Sequence, residues 1–308
     1  MTSEIHDEDG ATEHDAGMQS ALRPVDHEAV VTGLGLVAVL AVAGTTTLRT
    51  LYNLPFDPVP VSSGARSVVG TAMLGVLAMV LLGLVLSTGR RTVRVGLLFV
   101  AVFGVLPSFD AAATLPGAVG VTGGASLALL GTVGVPDSSR AFRRVAVAAG
   151  FVAGVAVSLA AATGLVDAGL RQTGSLLIVA AILGTGIRVQ RDRLAASVGV
   201  LVLFATLALT AASPYVAGSA LLVAFAVVGV PHLLVAAAVG VCAAVGTAAV
   251  RRGAYATATG ACLLLVAGMP VTFPRALAVL LGAALVLLPT GALVPVDNRN
   301  QNETEVAS

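Results

Sequence analysis

Long apolar runs recur along the chain, separated by short stretches that carry arginine, proline or glycine. Eleven of them read as membrane-spanning helices: residues 29–48, 67–88, 93–113, 117–135, 145–164, 173–189, 194–212, 214–230, 232–250, 254–270 and 276–294. A bilayer core of about 30 Å needs about 20 apolar residues in a helix. Backbone groups in lipid must bond within helices or a closed barrel. A barrel would alternate apolar and polar residues over about ten positions. These runs are continuous and longer, so they predict helices. Proline marks most breaks: Pro55, Pro58 and Pro60 after the first run, Pro116 before the fourth, Pro136 after it, Pro214 and Pro231 around the eighth. The third run is the least regular, because Pro107 interrupts it and Asp110 follows; the tenth is short.

Composition places this pattern in a membrane. Of 308 residues, 57% are hydrophobic and 11% charged, against about 25% charged in a soluble domain. The mean hydropathy is +0.97. So few polar residues cannot cover a water-facing surface. The predicted fold class is therefore all-α, a polytopic transmembrane helix bundle of a multi-pass cell-membrane protein. Three regions are expected: a disordered acidic cytoplasmic tail over 1–28, a transmembrane domain over 29–294 and a polar C-terminal tail over 295–308.

Arginine orients the threading, since cytoplasmic loops are enriched in it. Arg90, Arg91 and Arg94 follow the second run, Arg140, Arg143 and Arg144 the fourth, and Arg188, Arg191 and Arg193 the sixth. Clusters on every second loop place the N-terminus inside. With eleven spans, eleven arginines face inward and six outward, and Arg251 and Arg252 fall on the wrong side. With ten spans, thirteen face inward and four outward. Charge prefers ten; the 57 residues of 194–250 have the length of three spans, and eleven is the count adopted.

Eight of the sixteen acids lie in the first 28 residues, where Arg23 is the lone strong base. That stretch has no apolar period and reads as a solvated leader or docking tail, not as a signal peptide, which begins with positive charge. Cys242 and Cys262 lie in apolar runs with no metal spacing; they read as packing residues. There is no Lys and no Trp; all seventeen basic residues are Arg. This Ala/Val/Gly-rich, Lys-free chain with an acidic tail resembles membrane proteins of haloarchaeal type or of another GC-rich organism. The resemblance is one of composition over the whole chain and identifies no family.

Motifs for chemistry fail on context. Gly33-Leu34-Gly35 fits a loose dinucleotide fingerprint but lies inside an apolar run with no preceding strand. His27-Glu28 begins a zinc-protease motif whose second histidine is absent, since position 31 is Val. No Lys is available for a phosphate loop and no nucleophile elbow occurs. Hence no catalytic residue, no metal and no cofactor is expected. Arginines dispersed over loops, almost without aromatics, exclude nucleic acid. Gly150 and Gly154 have small-residue spacing for close helix approach, within the chain or between copies. Val133–Pro136 and Val228–Pro231 share the sequence Val-Gly-Val-Pro at a 95-residue offset, a hint of duplication. The loop 49–66, with Tyr52, Asn53 and Asp57, reads as a cap on the outer face, and Asn302-Glu303-Thr304 as a glycosylation acceptor if the C-terminus is outside.

Charges within a bilayer are costly and mark pathways. None sits at a clear midplane; Arg49, Asp110, Asp167, Arg171 and Arg275 all lie at helix ends. Asp110, His232 and Arg275 are the candidate substrate-path residues, Arg275 because Pro270 and Pro274 break the helix before it. Three functions compete. A transporter or permease-type subunit fits the spans and the broken segment. A non-catalytic scaffold or interaction subunit, with the bilayer and membrane or cytoplasmic proteins as partners, fits the small-residue helix faces. A membrane-embedded enzyme lacks a polar cluster. A polar crevice touching Thr45, Thr46, Asp110 or Arg275 would favour transport; a solid apolar bundle would favour the scaffold.

Overall fold

Apolar runs become helices because hydrocarbon offers the peptide groups no other partner. The computed structural model describes residues 27–52, 63–130, 139–186, 192–212, 231–268 and 272–287. Among them stand ten α-helices and no strand: α1 His27–Tyr52, α2 Ser63–Ser87, α3 Arg91–Val105, α4 Thr114–Leu129, α5 Ser139–Ala162, α6 Leu170–Thr185, α7 Arg193–Ala212, α8 Pro231–Arg251, α9 Tyr255–Val266 and α10 Phe273–Leu287. Six helical stretches are long and apolar enough to cross a membrane: Glu28–Leu48, Val68–Ser87, Arg91–Ser108, Ala111–Leu129, Ala141–Ala162 and Leu233–Arg251. Ten of the eleven expected runs thus coincide with helices. The eighth, 214–230, and the Val-Gly-Val-Pro repeat lie outside the described residues, apart from Pro231. So do residues 1–26, most of the loop 49–66 and the C-terminal tail. α1 begins at His27, two residues before the expected start.

The third run needed correcting. Its α-helix ends at Val105, and Leu106–Ser108 and Ala111–Ala113 form two 3₁₀ turns before α4. Pro107 is the cause: it has no N–H for the helix ladder, and its ring clashes with the preceding turn. Asp110 then accepts a hydrogen bond from the Ala112 N–H at 2.9 Å, an arrangement that caps the second turn.

Eight helices form a closed ring: α1, α2, α3, α4, α5, α6, α8 and α9 touch in that order, and α9 returns to α1. α7 packs against α8, and α10 lies within the ring against α1, α2, α3, α4, α5 and α9. Ala276 to Val286 of α10 are all buried. At 15 residues, α10 rises about 22 Å, too little for a bilayer core; protein rather than lipid surrounds it, so it need not match that thickness. A helix apolar on every face belongs in such a place.

Glycines set how closely the helices approach. In each of four consecutive helix pairs a glycine of one helix faces the carbonyl oxygen of a glycine on the other: Gly96 and Gly124, Gly154 and Gly174, Gly199 and Gly240, Gly260 and Gly282. A Cβ on Gly124 would sit 2.7 Å from the Gly96 oxygen, and one on Gly240 would sit 2.6 Å from the Gly199 oxygen. Without a hydrophobic drive between helices in lipid, such backbone contact is what holds them. The Gly150/Gly154 pair is used in this way: Gly150 faces Ala181 and Gly154 faces Ile178 and Gly174, all on α6. Gly35 likewise packs on Thr259 of α9 inside a helix, far from any nucleotide-binding turn.

Helix directions follow from these contacts. α7 and α8 are antiparallel, because Gly199 faces Ala244 while Gly240 faces Leu203, and Arg251 at the end of α8 pairs with Asp192 before α7 at 2.6 Å. α1 and α9 are parallel, since Gly35 meets Thr259 and Thr46 bonds the Val266 carbonyl. Of the arginines with described side chains, Arg90, Arg91, Arg94, Arg143, Arg144, Arg193, Arg251 and Arg252 therefore share one end. Arg171 and Arg275 lie at the other.

Candidate functional site

The candidate residues Asp110, His232 and Arg275 bear on the end opposite the arginine clusters. It is built from the end of α1, the α3–α4 turns, the α5–α6 turn, the start of α8 and the α9–α10 connection. Asp110, His232 and Arg275 all belong to this end. Asp110 follows α3 on the ring, and Arg275 lies near the start of α10 inside it, where Leu277 of α10 fills the notch at Gly104 of α3. His232 is the second residue of α8, which packs on α6, α7 and α9. The helix directions bring the three to one end.

Each position is fixed by local chemistry. α9 stops where Gly268 takes φ 70, a left-handed conformation that closes helices and suits glycine. Pro274 sits in the first turn of α10, where its missing N–H costs nothing, and Arg275 follows it half-buried. α5 closes in the same way at Gly164, φ 77, with the Leu165 N–H donating to the Ala160 carbonyl at 3.0 Å. Asp167 then accepts from the Gly169 N–H at 3.2 Å. Asp110 and Asp167 are both exposed, so these carboxylates act as turn caps in water or headgroups.

The hydroxyls that point inward are largely used within the bundle. Thr45 donates to the Val42 carbonyl at 2.9 Å and contacts the Met73 Sδ at 3.0 Å. Thr46 donates to the Val266 carbonyl at 3.2 Å, linking α1 to α9. Ser175, Thr185 and Thr259 donate to carbonyls three or four residues earlier in their own helices. This back-bonding satisfies the hydroxyl without recruiting a neighbour. Thr45 and Thr46 thus serve as cross-links between helices.

Sequence reasoning missed Ser158. Its side chain is fully buried, lies against Gly174 of α6, and its Oγ has no hydrogen-bond partner. One turn earlier on α6 the Nε of Arg171 is also buried without a partner. Nothing in the apolar stretch around Ser158 distinguishes it from an ordinary helix serine, so sequence carried no signal. Among the described residues no group of three or more His, Cys, Asp or Glu could hold a metal. Cys242 is buried on α8 and Cys262 exposed on α9, both as free thiols.

Residues 31–287 match an integral membrane family of unknown function, DUF8068. No curated protein and no solved structure matches the chain.

Proposed function

The chain belongs to the integral membrane family DUF8068, and from that premise we propose that it is a non-catalytic, multi-pass membrane component that assembles with partner proteins. One observation carries this reading: α10, apolar from Ala276 to Val286 and buried throughout, fills the middle of the ring. A transporter or permease-type subunit needs a cavity lined by polar groups from several helices. Here leucines occupy that place, with Leu277 set against Gly104 and Leu285 against Gly260. Asp110, His232 and Arg275 then belong to a polar rim at one end and to no substrate path. The acidic residues 1–28 supply a segment for docking cytoplasmic proteins. The Lys-free, Ala/Val/Gly-rich composition supports membranes of haloarchaeal type.

The threading that goes with this function has ten crossings, with both termini in the cytoplasm. The antiparallel α7 and α8 and the parallel α1 and α9 support it, as does the thirteen-to-four partition of arginines.

Thiol access along α10 tests the function. Ala278→Cys and Ala283→Cys are placed in a chain whose Cys242 and Cys262 are replaced by alanine. The variants are exposed in membranes to a charged, water-borne methanethiosulfonate reagent. No modification is expected from either side. Rapid labelling of either position would reveal a water-filled path and return the transporter reading.

A further inference from the structure

The arginine-bearing end holds a recess that the proposed function does not use. Asp192, Arg193, Leu194, Arg251 and Arg252 line an open cavity of about 520 Å³ between the start of α7 and the end of α8. Asp192 has two tasks there. It accepts from the Ala195 N–H at 3.3 Å, capping α7, and it pairs with Arg251 at 2.6 Å. That single carboxylate faces three guanidinium groups, so the recess keeps a net positive charge of two. Arg193 and Arg252 are exposed, and Arg251 has further N–H donors beyond those it gives Asp192.

Below the recess, past the exposed Ser197 whose hydroxyl is bonded to the Leu194 carbonyl, the surface turns apolar. Leu194 belongs to the lining and is 53% exposed; Leu201 and Phe204, on the same face of α7, are 68% and 64% exposed. A charged head beside an apolar lane matches one kind of molecule. We propose that this recess binds the headgroup of an anionic phospholipid, its phosphate held by Arg193 and Arg252 and its acyl chain lying along Leu194, Leu201 and Phe204. Guanidinium groups suit phosphate because their planar fork donates two parallel hydrogen bonds. Basic pockets between helices at the cytoplasmic surface hold anionic headgroups for the same reason. A soluble anion would gain nothing from the apolar lane, and an acidic peptide would leave it uncovered. The proposal needs only that the chain is embedded in a membrane, so it stands apart from the non-catalytic reading.

Native mass spectrometry of the full chain, purified in detergent with equal phosphatidylglycerol and phosphatidylcholine, tests it. The wild type should retain phosphatidylglycerol in preference. Each arginine that holds the headgroup should contribute roughly fivefold in affinity, so Arg193→Gln with Arg252→Gln should weaken retention roughly thirtyfold. Asp192 and Arg251 stay, which preserves the link between α7 and α8. The single variants should each lose roughly fivefold, so the test survives if the double variant misfolds. Arg143→Gln with Arg144→Gln, at the same end but outside the recess, should change nothing. Equal retention of the two lipids by the wild type, or full retention by the variants, overturns the proposal. Displacement by inorganic phosphate alone would make it a free-anion site, and displacement by a peptide of residues 1–28 would assign it to the tail; either result also overturns it.

Discussion

A single methyl group is enough to test the packing. A Cβ on Gly96 would run into the backbone of Ala128 and lie 2.6 Å from the Gly124 oxygen. Backbone cannot step aside as a flexible side chain can, so overpacking there costs about 1–3 kcal/mol. Gly96→Ala and Gly124→Ala should therefore lower the unfolding midpoint in detergent, read by scanning fluorimetry with a thiol dye. Gly123→Ala and Gly33→Ala meet nothing within 4 Å. They should hold or raise the midpoint, since alanine costs about 0.5–1 kcal/mol less than glycine within a helix. Equal losses at Gly123 and Gly124 would show that this helix face has been assigned wrongly. Ser158 points the opposite way. A buried hydroxyl without a partner costs about 1–3 kcal/mol, so Ser158→Ala should raise the midpoint. A fall would mean that the hydroxyl is held by a group that the described residues do not provide. Neither position stands out in the sequence: glycine and serine are spread through every run, and their roles come from what crosses them.

At the scale of the element, boundaries were legible and neighbours were not. Proline, glycine and arginine punctuate the chain because each has a definite physical effect on a helix, and ten helices start and stop close to those marks. The exception at Pro107 is of the same kind, a proline whose disruption spreads over two 3₁₀ turns. Which helix lies inside the ring could not be read. In a soluble protein a surface helix has a polar face and a buried one has none, so periodicity reports position. In lipid both kinds are apolar all round, and α10 reads like the helices that enclose it. Pairing must therefore be tested directly, and the parallel contact of α1 with α9 is the most informative case. A Cβ at Gly35 would lie 3.0 Å from the Thr259 Cβ, within about an ångström of disulfide separations. Gly35→Cys with Thr259→Cys, in the chain lacking its two native cysteines, should form a cross-link under mild oxidation, seen after cleavage between the two positions. No cross-link would remove the parallel contact and the ring closure that depends on it.

For the whole molecule, hydropathy established the membrane, and arginine counting exposed the conflict that the helix directions address. Eleven equal spans put Arg251 and Arg252 on the outer face, against the bias that orients the rest. Antiparallel α7 and α8 return them to the end that carries Arg90, Arg91, Arg94, Arg143, Arg144 and Arg193. They also bring His232 and Arg275 to the end that carries Asp110, whereas eleven spans would have divided the three between the two faces. The ambiguity arose because length alone was asked to decide whether 194–250 crosses two or three times. Length records how much apolar chain is present, while direction depends on which helix ends meet. A thiol at each end separates the two threadings. Ala168→Cys, exposed in the α5–α6 turn, should react with an impermeant maleimide added to intact cells. Arg252→Cys, exposed after α8, should react only once the membrane is opened, and a fluorescent protein fused to the C-terminus should mature in the cytoplasm. Labelling of Arg252→Cys from outside would require an odd number of crossings before it. The Asp192–Arg251 pair, which joins positions that must then lie on opposite faces of the bilayer, could not exist in such a molecule.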